Sequence, residues 1–206
     1  MKKLASIPLF LFFLFLLISG CQKDNSLLPV EQKNSNSLQK PAWVLAAEKQ
    51  GITLIALPKN TSSSLNKEFL ATSPIKHDVD GSVVINETYL STDNNVVSVD
   101  ASLAVLANSL AQDGTLSMAF DDEYLCFEFG PSGTTFTTPA LLNVHVSGLD
   151  LSALGVQTTG HLQYFNESKN KWTLVEADEV TVDVKNGTFT CKNGKIPHFS
   201  RYGFTN

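Results

Sequence analysis

The side chains able to carry chemistry are few in this 206-residue chain: three cysteines, four histidines and some clustered carboxylates. Cys126 and Cys191 are a candidate disulfide. Cys191 falls on the same strand face as apolar Phe189, whereas Cys126 alternates with Leu125, Phe127 and Phe129. Opposed faces make bridging geometry hard to reach, so two small, semi-buried thiols are the expectation. His77, Asp78 and Asp80, with Gly81 following, invite a metal reading. A calcium loop alternates oxygen ligands and needs glycine at its sixth position with a distant glutamate. Counted from Asp78, glycine here is fourth, and no metal or other cofactor is expected. Asp121-Asp122-Glu123 reads as a solvated turn, and His145 and His161 stand singly on strands without a ligand partner at short spacing. Trp43, Trp172, Tyr89, Tyr124, Tyr164 and Tyr202 offer aromatic surface for stacking on a sugar, but Trp172 alternates with Leu174, and burial is the simpler account. The chain contains no Gly-x-Ser-x-Gly elbow, no His-Glu-x-x-His helix and no phosphate-cradling glycine loop. A carboxylate pair for glycoside cleavage depends on separation in space and is not legible here.

Charge and the N-terminus narrow the setting. Fifteen basic residues against twenty acidic ones give −5, and Arg201 is the only arginine. Bidentate forks for phosphate are therefore nearly absent, and nucleic acid is not expected as a partner. Lys2 and Lys3 precede the apolar run Leu4 to Ile18, which is shorter than the ~20 residues of a spanning helix and reads as an export signal. Ile18-Ser19-Gly20-Cys21 closes that run and resembles the bacterial lipobox. The resemblance implies cleavage before Cys21, thioether lipidation of its sulfur and acylation, of the palmitate type, of the new amino terminus. Two or more chains hold a protein firmly to a bilayer, at ~0.8 kcal/mol per buried methylene. Loss of Lys2 and Lys3 takes the charge from −5 to −7. Gln22 after the cysteine resembles the outer-membrane sorting pattern. Lys23-Asp24 resembles part of a cell-surface signal whose second acid is replaced by Asn25, which leaves surface exposure open.

The elements follow from composition and period. Residues 22–40 are rich in Asn, Ser, Gln and Lys and read as a flexible linker, with a root-mean-square reach of roughly 20–25 Å. Residues 41–74 form an N-terminal segment packing on the domain. Pro41 to Gln50 reads as a helix with proline at its first position and Gly51 at C′, and Ile52 to Leu57 reads as a buried strand. Asn60 to Leu65 reads as a loop. Residues 75–206 alternate with period two. Leu125, Phe127 and Phe129 oppose Tyr124, Cys126 and Glu128; Leu142, Val144 and Val146 oppose Asn143 and His145; Val180, Val182 and Val184 oppose Thr181, Asp183 and Lys185. Further strands are expected at 81–89, 96–105, 115–120, 161–166, 171–176, 187–192 and 199–205. Asp80-Gly81, Asp113-Gly114, Pro131-Ser132-Gly133, Asn186-Gly187 and Asn193-Gly194 supply turns. About ten short strands with regular turn signals predict an all-β fold, an antiparallel β-sandwich.

Residues 81–204 also carry a family resemblance. Phe129-Gly130-Pro131-Ser132-Gly133, Phe136 and Pro139 are followed by an apolar strand and an amphipathic turn at Leu151 to Gly155. The strand His161 to Phe165, Lys171-Trp172 and His198-Phe199-Ser200-Arg201-Tyr202 come next. In that order they resemble the ZU-five domain of zonula occludens proteins, netrin receptors and ankyrins. The family's Pro-Pro-Gly-Ala turn has no counterpart; Leu106 to Leu110 stands in its place. The resemblance implies a sandwich that serves mainly in binding and assembly. Some members cut themselves between Phe and Ser. Carried over, Ser200 is the nucleophile, His198 the general base, and Phe199 supplies the carbonyl that is attacked. In a regular strand His198 and Ser200 share a face with backbones about 6.6 Å apart, so contact requires a kink. The sequence thus predicts a lipoprotein held to the outer membrane through Cys21, acting as a non-enzymatic interaction module for a protein or glycan. Its alternative is a self-processing protein cleaving Phe199-Ser200.

Overall fold

A computed structural model describes residues 40–61, 69–121, 123–153, 155 and 159–206. Cys21, the export signal and residues 22–39 of the linker lie outside the described residues, as do Asp122 and most of the expected loop at 60–65. The described residues form an antiparallel β-sandwich of eleven strands with one α-helix. One sheet is ordered β1 (Phe69–Ile75), β4 (Gly114–Phe120), β5 (Cys126–Gly130), β11 (Arg201–Thr205), β7 (His161–Asn166) and β8 (Lys171–Leu174). The other is ordered β2 (Gly81–Leu90), β3 (Val96–Val105), β6 (Thr135–Ser147), β10 (Thr188–His198) and β9 (Glu179–Asp183). Among the described residues no helix is long and apolar enough to cross a membrane.

Period-two alternation builds the core. Leu125, Phe127 and Phe129 enter it from one sheet, and Leu142, Val144 and Val146 enter from the other. Aromatic rings fill the gap between the sheets. Phe127 lies edge-on to Phe204, and Phe204 packs at 4.6 Å on Phe189. Side chains of this size bury about 150–250 Å² each and dominate the energetics of such a core.

Four local departures from the sequence reading have physical causes. β1 was not expected: its Ser73 and Pro74 lack strand propensity, but it sits at a sheet edge, where a missing N–H costs no ladder bond. Asn193-Gly194 is a bulge inside β10, not a turn. The register to β6 jumps between Cys191 and Gly194, Asn193 adopts φ 50°, and its N–H donates to Asn143 Oδ1. Pro41 is the N-cap of α1 (Ala42–Lys49), one residue outside the expected position, while Gly51 is left-handed at C′ as expected. Residues 52–57 make single bridges, Leu54 to Thr205 and Ala56 to Tyr124, in place of a continuous strand. Ile55 still enters the core, and Leu54 faces the opposite side.

That opposite side is a second apolar cluster on the outer face of the six-stranded sheet. Trp43, Val44, Ala46 and Ala47 of α1 close over Cys126, Phe165 and Trp172. Trp172 Nε1 donates to the Trp43 carbonyl at 2.8 Å, which satisfies the indole where it is buried. The Gln50 side chain extends the edge strand β8: Trp172 N donates to its Oε1 at 2.6 Å, and its Nε2 donates to Trp172 O at 3.1 Å. This covers an exposed sheet edge with a side-chain amide. Gly203 is needed beneath the tryptophan, because a Cβ there would lie 2.7 Å from Cys126 Sγ and 3.0 Å from the Trp172 ring.

Candidate functional site

The His198-Phe199-Ser200 stretch is the corner where the chain passes from one sheet to the other. His198 ends β10, and Arg201 begins β11. It is not the regular strand expected from 199 onward. Phe199 is buried between Phe129 and Phe136, and its N–H donates to Thr134 O. Ser200 Oγ donates at 2.8 Å to the Phe165 carbonyl, and Ser200 O accepts from Phe129 N. The His198 ring packs edge-on against Tyr164 at 5.0 Å, and its carbonyl accepts from the Tyr202 hydroxyl. Serine and histidine therefore have separate partners, and the corner is held as a hydrogen-bonded joint. Burial pushes the Tyr202 phenol well above its ordinary range, so it remains a donor to His198 O.

The two thiols are free and belong to different apolar clusters, so the candidate bridge is not formed. Cys191 lies in the core between the sheets, and its pKa is pushed up to about 12 by burial. Cys126 lies under α1, and burial raises it well above the ordinary thiol value. Protonated, buried thiols are poor nucleophiles. Both sit on the faces the alternation predicts, more deeply buried than expected.

The structure replaces Asp80 by Asp113 in the histidine–carboxylate group. Ligand-type atoms of His77, Asp78 and Asp113 lie within 4.8 Å of one another, all on exposed residues. Asp113 Oδ1 accepts from His77 Nδ1 at 2.7 Å and from His77 N at 2.8 Å. These bonds raise the imidazole pKa and lower the carboxyl pKa. Asp80 instead accepts from Ala107 N, across the neighbouring loop. The group ties two loops together. Asp121, part of an expected solvated turn, accepts from Glu123 N and Tyr124 N and is half-buried.

Register then brings together side chains that no short motif links. On the outer face of the six-stranded sheet, Glu128, Arg201, Phe165 and Trp172 stand side by side in one transverse row. The Arg201 guanidinium lies 4.6 Å over the Trp43 ring, ion-pairs with Glu128 and reaches Asp121 at 3.8 Å. Its side chain is only 17% exposed, and that of Glu128 21%, so solvent screens this pair weakly. Beside it opens a cleft of about 510 Å³, walled by Trp43 and Phe165 and edged by Glu128, Glu167, Asn170 and Arg201. Sequence reasoning registered Arg201 as the lone arginine and as part of the His198-to-Tyr202 stretch, without these neighbours. They come from α1, from the turn before β5 and from neighbouring strands, and only the folded packing brings them together.

The outer face of the five-stranded sheet differs. Asn86, Asp100, His145, Thr190 and Thr181 form one row across all five strands. His145 Nδ1 lies 3.0 Å from Thr190 Oγ1, and Asn86, with its amide nitrogen turned inward, donates to Asp100 Oδ1 at 3.0 Å. The depression there is shallower, about 290 Å³. His161, also exposed, pairs with Thr205 at the end of β7. Trp43, Trp172, Tyr89 and Tyr202 are buried, and Tyr124 and Tyr164 are half-buried, so none of the six is a fully exposed stacking platform.

In comparisons with protein families, with curated proteins and with solved structures, this chain matches none. What the fold and geometry define is an all-β sandwich with an amphipathic cleft beside Arg201.

Proposed function

We propose that this chain is a lipid-anchored envelope lipoprotein whose β-sandwich is a non-enzymatic binding module, of the kind the ZU-five resemblance implies. The lipobox at Cys21 supports anchorage at the outer membrane. The carrying observation for the module is the cleft beside Arg201, which converges charged, amide and aromatic groups around a concave space. Its groups suit recognition: an arginine locked by carboxylates is a fixed donor array. The reactive side chains elsewhere are committed to scaffolding, with Ser200 bonded to Phe165 and His198 packed on Tyr164.

Two measurements test this reading. In detergent phase partitioning, the wild-type chain enters the detergent phase and a chain begun at Gln22 stays in the aqueous phase. An aqueous wild-type chain ends the anchorage reading. Intact-mass analysis of the purified protein shows one species unbroken at Phe199-Ser200, whereas a cleaved product would favour the self-processing alternative.

A further inference from the structure

We propose that the cleft beside Arg201 binds a neutral saccharide of one or two rings. The proposal rests on the binding-module reading above and adds the ligand class. Charge removes the first alternative. Arg201 is already compensated by Glu128 and Asp121, and Glu167 adds a further carboxylate at the rim. A phosphate, sulfate or uronate would have to displace a shielded carboxylate from its arginine, at the cost of that ion pair. A cationic group is drawn by Glu128, Asp121 and Glu167 but meets the Arg201 guanidinium fixed between them, and tetralysine is the counter-probe for it. An apolar ligand would strip water from Glu128, Glu167 and Asn170 and return no hydrogen bonds.

A sugar ring satisfies what remains. Its hydroxyls donate to carboxylate and amide oxygens and accept from the arginine and asparagine N–H groups. Its C–H face needs only a small apolar contact, which the exposed Ala42 provides beside the nearly buried rims of Trp43 and Phe165. The volume of about 510 Å³ lies inside the range of small-ligand sites. The polar rim is also preorganised. Asn170 is held left-handed at φ 47° and caps the 3-10 turn Glu167–Lys169, whose start is fixed by Asn166 Oδ1 accepting from Lys169 N at 3.0 Å. A rim fixed before binding loses little conformational freedom when the ligand arrives.

The test uses the chain begun at Gln22, which keeps it in solution. Maltose, cellobiose, lactose and diacetylchitobiose are titrated separately, with inorganic phosphate and tetralysine as counter-probes. Trp43 and Trp172 are the only tryptophans; Trp43 lines the cleft and Trp172 packs edge-on against Trp43, so indole fluorescence reports occupancy. At least one disaccharide binds saturably with Kd of about 1 mM or tighter. Glu167→Gln and Asn170→Gly each weaken it about fivefold or more by removing hydrogen bonds. Glycine keeps the left-handed backbone, so the thermal midpoint stays close to the parent's. The proposal is overturned if none of the four sugars binds, or if both variants bind unchanged. It is equally overturned if phosphate or tetralysine binds while the sugars do not, an outcome that would leave the binding module standing with another ligand. Partitioning through Cys21 is a separate readout and moves with none of these results.

Discussion

The two outer faces of the sandwich are built from the same alternation and meet different fates. On the six-stranded sheet the outward positions include Cys126, Phe165 and Trp172, and α1 folds down to cover them. On the five-stranded sheet they include Asp100, His145 and Thr190, which water can satisfy, and among the described residues no helix lies over them. Outward residue type decides whether a third layer is required. The covered face also carries a cleft, lined by Ala42 and Trp43 of α1 together with Glu128, Phe165 and Arg201 of the sheet. A flat, polar face has no such seam.

Substitutions can break or sharpen this contrast. The largest effect is expected at Trp172→Ala, which empties the space under α1 and removes the donor to Trp43 O. Chemical denaturation should show a loss of about 3–5 kcal/mol, and a loss under about 1 kcal/mol would mean that α1 is not integral to the domain. Arg201→Met keeps much of the packing on Trp43 but leaves Glu128 and Asp121 without their shared cation. Allowing for their partial exposure, about 1–3 kcal/mol is expected, with a shift in indole fluorescence. Gln50→Ala strips the amide from the β8 edge, costs about 1–2 kcal/mol and speeds hydrogen exchange at the Trp172 amide. On the bare face, His145→Ala should stay within about 0.5 kcal/mol of wild type. A large loss there would show that the polar row supports the sheet and is not simply solvated.

The smallest effect concerns pH. The His77 pKa is raised by Asp113, so its contribution to stability is present below the ordinary histidine value and disappears as pH rises through the raised one. Asp113 is depressed, so its contribution is present above the ordinary carboxyl value and is lost as pH falls through the depressed one. The pair therefore operates between those two folded-state values. An NMR titration should place the His77 midpoint above the ordinary imidazole value of 6.5, and Asp113→Asn should bring it down. Both residues are exposed, and global stability should barely register the change.

The sandwich was legible because burial on one side of a strand writes itself at every second residue. Residues 123–129 display that pattern, and Leu125, Phe127 and Phe129 occupy the core accordingly. Gly51 was legible for a local reason, the left-handed step that ends a helix. β1 was not, because its strand state comes from pairing with β4 rather than from its own side chains. Asn193-Gly194 misled because the same dihedral preference serves a turn and a bulge. Only continued pairing with β6 distinguishes the two. The cleft was hidden for the most general reason: Trp43, Glu128, Glu167 and Arg201 belong to distant segments, and their meeting is a property of sheet order.

That order has a consequence for how the chain comes to be folded. β10 and β11 occupy inner positions, β10 between β6 and β9 and β11 between β5 and β7. Without residues 188–205, β5 and β7 in one sheet and β6 and β9 in the other share no hydrogen-bonded neighbour. Closure of both sheets therefore waits on that one segment, and a chain that has yet to deliver it holds an incomplete core.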